Sequence, residues 1–275
     1  MRRLILLLSC AVLLSGCGSG EADRLRTEVE QRIDRAQESV ERTQKRAERL
    51  RDRVTARVKQ VLEDLEKAVP EAPQGSAGPR AAGTRTSEIE AYLTEVIEDV
   101  DRYWTRTLKA ARLREPRVSY VWVEPGDRVM TACRTVADDG AAFYCPADDT
   151  IYFAQRLAAQ FYRQVGDFGV AYVVAHEYAH NVQNELGQLS ANGRTSTKPF
   201  ELQADCMAGL WGNSVYAEGR IDRSDVEEAV RTAYAVGDFD YGDPNHHGTP
   251  DERREAWITG FESGDPRDCS RFVDV

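Results

Sequence analysis

Along residues 21–69, apolar or small side chains recur in steps of three and four (Leu25, Val29, Ile33, Ala36, Val40, and on to Leu65 and Val69) in a background dense in Arg and Glu. That spacing predicts a long amphipathic helix, with Glu and Arg able to pair along its flanks. Its apolar seam is thin, so a coiled-coil dimer and a solitary solvated stalk both fit. Residues 70–87, rich in Pro, Gly, Ala and Ser, read as a linker that ends the stalk. Beyond it the pattern changes. Ser87 and Glu90 form a capping box for a helix to about Leu113. Residues 118–123 and 150–154 are β-rich runs, with Phe143-Tyr144-Cys145 as a third strand. Residues 170–182 are apolar on nearly all sides, which predicts a buried helix, with Asp167 as its cap and Gly187 as its end. A helix opened by Pro199 carries residues 199–211, and Ser224 with Glu227 opens another to about Val236. The expected class is α+β, with a small twisted antiparallel sheet packed over the 170–182 helix.

Composition divides the chain in the same places. Its 275 residues suffice for one good core plus a non-globular extension, and a net charge of -10 argues against nucleic acid or direct adhesion to anionic lipid. No phosphate-cradling glycine loop and no solenoid repeat is evident. At the N-terminus, Arg2 and Arg3 precede a short apolar run over residues 4–14, and Leu14-Ser15-Gly16-Cys17 resembles the bacterial lipoprotein cleavage box. The expectation is a signal peptide over residues 1–16, a lipid-anchored stalk over 17–69 beginning at Cys17, the linker over 70–87, and a catalytic domain over 88–275. The chain would then be an extracytoplasmic lipoprotein of a bacterial envelope. Its stalk would be free to associate with itself or an envelope partner.

Export makes the other cysteines readable as disulfide material. Three connectivities are possible among Cys133, Cys145, Cys206 and Cys269. Cys133 and Cys145 are close in sequence and flank the turn Ala137-Asp138-Asp139-Gly140, so they can clip a hairpin loop. Cys206 and Cys269 then pair by elimination, tying the C-terminal segment to the helix that carries Asp205.

The chemistry is concentrated in His176-Glu177-Tyr178-Ala179-His180 and Glu201-Leu202-Gln203-Ala204-Asp205. Two histidines four apart share one helix face, so both imidazoles can bind one Zn²⁺ while the glutamate leans toward the remaining coordination position. A catalytic zinc takes three protein ligands, and Glu201 is the third donor. Asp205, one turn further on, can accept a hydrogen bond from a ligand histidine, His176, and fix its tautomer. Glu177 is then the general base of a hydrolase that binds one Zn²⁺ per chain and cleaves peptides or proteins. A zinc-stabilised binding module without catalysis, and a peptidase acting on cell-wall peptides, are the alternatives.

This arrangement resembles the gluzincin class of zinc peptidases, and more closely the bacterial "putative neutral zinc metallopeptidase" family. The shared pieces are Thr131-Ala132-Cys133, residues 143–149, residues 171–177, residues 201–209, His247-Gly248-Thr249 and residues 260–266. The chain departs from the family pattern at Ala179, commonly glycine, and at Asn181, commonly histidine. The resemblance implies a zincin-like domain. It implies that His247, one of four histidines in the chain, stabilises the oxyanion opposite the metal. Tyr178, Tyr216 and Tyr241 are weaker candidates for that task. It also implies that residues 149–154 form the edge strand along which an extended substrate would lie.

Overall fold

In this computed structural model the chain divides into two units, Met1–Leu65 and Glu66–Val275. The structure describes residues 86–189, 197–240, 243 and 245–273, with the isolated helical positions 31, 42 and 45. The signal peptide, Cys17, the stalk seam and residues 70–85 of the expected linker lie outside the described residues, and residues 86 and 87 already belong to a helix. Among the described residues no helix is long and apolar enough to cross a membrane.

The second unit opens with α1 (Thr86–Ala110), followed by β1 (Ser119–Val123), β2 (Val129–Met130), β3 (Val136–Ala137), β4 (Ala142–Cys145) and β5 (Thr150–Ala154). Then come α2 (Gln155–Val165), α3 (Asp167–Glu185), α4 (Lys198–Ala217), α5 (Arg223–Ala235), α6 (Pro250–Ser263) and α7 (Pro266–Cys269). The α+β expectation holds at this level, but the sheet corrects the expected topology. Its order is β1-β5-β4, with β5 parallel to β1 and antiparallel to β4. The sheet is therefore mixed, and the strand expected at its edge is its centre. The reason is burial: every residue of Thr150–Ala154 is buried, as a strand flanked on both sides and covered on its faces must be. Edge positions fall to β1 and β4. The small β2–β3 pair is antiparallel and is tied to β4 by the Cys133–Cys145 disulfide. Cys206 and Cys269 are also bonded, so the expected connectivity holds for both pairs.

Helix boundaries show where local signals mislead. α1 already includes Ser87, and the Glu90 carboxylate accepts from Gln155 Nε2 of α2 at 3.1 Å rather than closing a capping box. α5 is capped by Asp222 with Asp225, two residues before the expected Ser224 and Glu227; both pairs carry the same spacing, and Asp222 Oδ1 takes the Ser224 and Asp225 N–H groups. α3 ends as expected at Gly187, whose φ of +73° supports a Schellman motif with Gly187 N–H bonded to Asn184 O and Gln188 N–H to Gln183 O. At its start the N-cap is Gly166, and the Phe168 N–H is shared between Asp167 and the Glu228 carboxylate of α5. Gly166 has φ +106°, and a Cβ there would stand 2.0 Å from the Glu228 carboxyl carbon, so only glycine fits.

Burial, reinforced by the Asp167 and Asp225 carboxylates, pushes Glu228 up to about 7 against the pull of the helix N–H groups. The folded chain thus holds this proton more tightly than the unfolded chain, whose glutamate titrates near 4.5. The favourable contribution is whole below the unfolded value and is lost as pH rises through about 7. Glu228→Gln keeps an acceptor for Phe168 N–H and removes the titration. Thermal melts from about pH 5 to about pH 8 are expected to show the wild type losing stability relative to this variant.

The core that positions the chemistry is α3 between α4 and the sheet, with α6 crossing α4. Gly209 and Gly260 make that crossing close: a Cβ on Gly209 would lie 2.1 Å from the Trp257 carbonyl oxygen, and one on Gly260 1.9 Å from that of Cys206. Small residues at both crossing points let the backbones touch, and the Cys206–Cys269 bond closes the same corner.

Candidate metal centre

His176, Glu177 and His180 project from the middle of α3, and Glu201 from the first turn of α4. One donor atom from each of His176, His180 and Glu201 lies within 4.8 Å of the others. Glu201 Oε2 is 3.2 Å from His176 Nε2, and Oε1 is 3.5 Å from His180 Nε2. Donor atoms on a tetrahedral zinc with bonds of about 2.0–2.2 Å stand roughly 3.3–3.6 Å apart, and the two Glu201–histidine distances match that spacing.

The groups behind the donors fix their orientation. His176 Nδ1 is 2.8 Å from Asp205 Oδ1, as expected, which turns Nε2 toward the Glu201 carboxylate. His180 has an equivalent partner that sequence reasoning missed: its Nδ1 is 2.8 Å from Gln183 Oε1, and the Gln183 amide is aimed by donating to Phe200 O and Gln203 Oε1. Asp205 is wholly buried and accepts from Tyr172 Oη, from Arg253 Nε at 2.7 Å and from Arg253 Nη2 at 2.9 Å. Burial alone would raise the Asp205 carboxyl, but Arg253 and His176 outweigh it and hold it low. For Glu201, burial is likewise outweighed by His180, His176 and Arg253, so it stays ionised. Burial pulls the His176 ring down, and Asp205 more than reverses this, carrying it to about 9.

Arg253 is the principal residue that the sequence did not point to. It sits in α6, brought to Asp205 by the glycine-mediated crossing, and its Nη1 also donates to Val236 O at 3.2 Å. Nothing local marks it, because the adjacent Arg254 is just as buried and pairs instead with Asp251 and Glu255.

Glu177 is 8% exposed and lines a cleft of about 370 Å³ together with the three donors, Ala142, Tyr144, Phe161, Val173, His247 and Arg253. Its Oε2 accepts from the Tyr144 N–H of β4 at 3.0 Å. Burial raises its carboxyl, partly offset by the two histidines. The strand bounding the cleft is thus β4, which corrects the assignment of residues 149–154 to that role. Ala154 N–H donates to Ala141 O, so residues 141, 143 and 145 bond toward β5 while Ala142 and Tyr144 turn their backbone groups the other way.

His247 reaches the cleft, half-exposed, with its N–H and Nδ1 at 3.0 and 3.3 Å from Asp238 Oδ2. His246 binds the other oxygen of Asp238 through Nδ1. Of the weaker tyrosine candidates, Tyr178 donates to Asp101 at 2.6 Å and Tyr216 packs edge-on to Phe261, neither of them lining the cleft, and Tyr241 lies outside the described residues.

The family described as "Putative neutral zinc metallopeptidase" matches residues 54–272. Uncharacterized protein YpfJ of Escherichia coli (strain K12) is 36% identical over 170 residues, which is 52% of this chain and 58% of the relative. Uncharacterized protein Rv2575 of Mycobacterium tuberculosis is 37% identical over 175 residues, 53% of this chain and 59% of the relative. The chain thus spans somewhat over half the length of these curated relatives. No solved structure matches it. Because the family match runs through α3 and α4 and across most of the chain, this chain belongs to the neutral zinc metallopeptidase family.

Proposed function

We propose that this chain is a zinc-dependent endopeptidase, holding one Zn²⁺ per chain through His176, His180 and Glu201. The observation that carries the reading is the convergence of these three donors beside a buried glutamate in one cleft. When bound, the zinc supplies a Lewis acid that makes water a usable nucleophile near neutral pH and polarises the scissile carbonyl. Glu177 takes the proton from the attacking water and returns it to the leaving amine. Asp205 and Gln183 keep the ligand histidines in the tautomer that offers Nε2. His247, held with its Nδ1 3.3 Å from Asp238 Oδ2, faces the cleft where the oxyanion would develop. The outward-turned backbone of Ala142 suits an extended peptide laid along β4.

The substrates in this reading are extracytoplasmic proteins or peptides, reached by a chain anchored through Cys17 and lifted from the membrane by its stalk. Two disulfides support residence in an oxidising compartment. The test is mass-spectrometric product mapping, with the zinc-loaded chain given a diverse peptide mixture. Internal cleavage is expected. Zinc bound with no peptide cleaved would favour the non-catalytic binding module, and cleavage confined to cell-wall peptides would narrow the substrate class.

A further inference from the structure

A carboxylate that moves protons must be held, and the hold on Glu177 comes from an edge strand only four residues long. Strand β4 has a single sheet neighbour, and short edge strands fray readily. Tyr144, which supplies the N–H to Glu177 Oε2, also ties the strand down with its own side chain. Its hydroxyl donates to Asp149 Oδ1 at 2.5 Å and accepts from Asn184 Nδ2 at 3.0 Å and Asn181 Nδ2 at 3.3 Å. One donor and two acceptor sites are thereby all used. Burial, then the Asp149 carboxylate, pushes the phenol well up, so it remains a donor. Glu177, Asn181 and Asn184 recur at i, i+4 and i+7 of α3, on one face, so one tyrosine meets the helix at three successive levels. Asn184 Nδ2 also reaches Asp149 Oδ1 at 3.1 Å, and Asn181 Nδ2 reaches Arg117 O at 2.8 Å. Asparagine at 181, where the family pattern commonly has histidine, gives the network one of its two amide donors, Asn184 being the other.

We propose that Tyr144 is the positioning residue for Glu177: its hydroxyl rivets β4 to α3 so that its backbone N–H fixes Oε2 and leaves Oε1 directed at the attacking water. This rests on the peptidase reading. Cys145, adjacent in β4 and bonded to Cys133, anchors the same strand from the other side.

The experiment compares the full-length, zinc-loaded chain with Tyr144→Phe and Asn184→Ala. It reads kcat and KM on one cleaved peptide, zinc affinity, and amide hydrogen exchange at position 144. For Tyr144→Phe, kcat is expected to fall about tenfold with KM and zinc affinity within about twofold, and the amide to exchange about tenfold faster. Asn184→Ala should move both readouts the same way by about threefold, which keeps the test usable if Tyr144→Phe does not fold. Unchanged kcat, unchanged exchange, or a kcat loss matched by lost zinc or raised KM would overturn the proposal. If the wild type cleaves no peptide, the peptidase reading falls, and the exchange comparison alone decides whether the rivet exists.

Discussion

Replacing Glu177 with glutamine is expected to lower kcat by about 10³- to 10⁴-fold while leaving zinc bound. The variant keeps nearly the same shape and an acceptor for the Tyr144 N–H, so the strand contact at 3.0 Å survives. What it loses is the lone pair that takes a proton. Because His176, His180 and Glu201 complete the donor set without it, metal affinity should stay within a few-fold of wild type. Comparable turnover by Glu177→Gln with zinc in place would remove Glu177 from the mechanism.

Arg253→Met should be the most damaging change to the scaffold of the site. It strips both guanidinium bonds from a fully buried carboxylate, Asp205, and leaves only Tyr172 and His176 as partners. Breaking a buried ion pair from one side costs about 3–5 kcal/mol, because a charge is left without compensation. As Asp205 orients His176, zinc affinity should fall by roughly 10- to 100-fold. The double variant Asp205→Asn/Arg253→Met should regain part of the stability, since neither charge is then left alone. Denaturant unfolding and chelator competition measure the two effects. A loss below about 1 kcal/mol in the single variant would mean that the pair is dispensable.

What was legible in the sequence was what is local. His176, Glu177 and His180 lie within one helical turn and a residue, and Glu201 and Asp205 within another, so periodicity alone places each set on one face. The buried character of α3 and the β-rich runs followed from the same kind of evidence. Relations across the chain were not legible. The order and direction of strand pairing depend on which faces are covered, so the run at 150–154 does not by itself say that β5 is the centre of the sheet rather than its edge. Arg253 reaches Asp205 only because α4 and α6 cross at Gly209 and Gly260, and Tyr144 reaches Glu177 only because β4 is the outer strand. The overlapping acidic and hydroxyl residues at 222–227 offered two caps with the same spacing, and only packing selects Asp222. The cysteine pairings were recoverable because one pair is close in sequence.

The most direct measurement is a zinc titration of the metal-stripped full chain, following bound zinc and peptide cleavage together, with Glu201→Gln alongside. Both signals should rise in parallel and saturate at one zinc per chain, and the variant should show neither at the same zinc concentration. Cleavage that proceeds in the metal-free chain, or zinc held equally well without Glu201, would contradict a catalytic zinc bound by His176, His180 and Glu201.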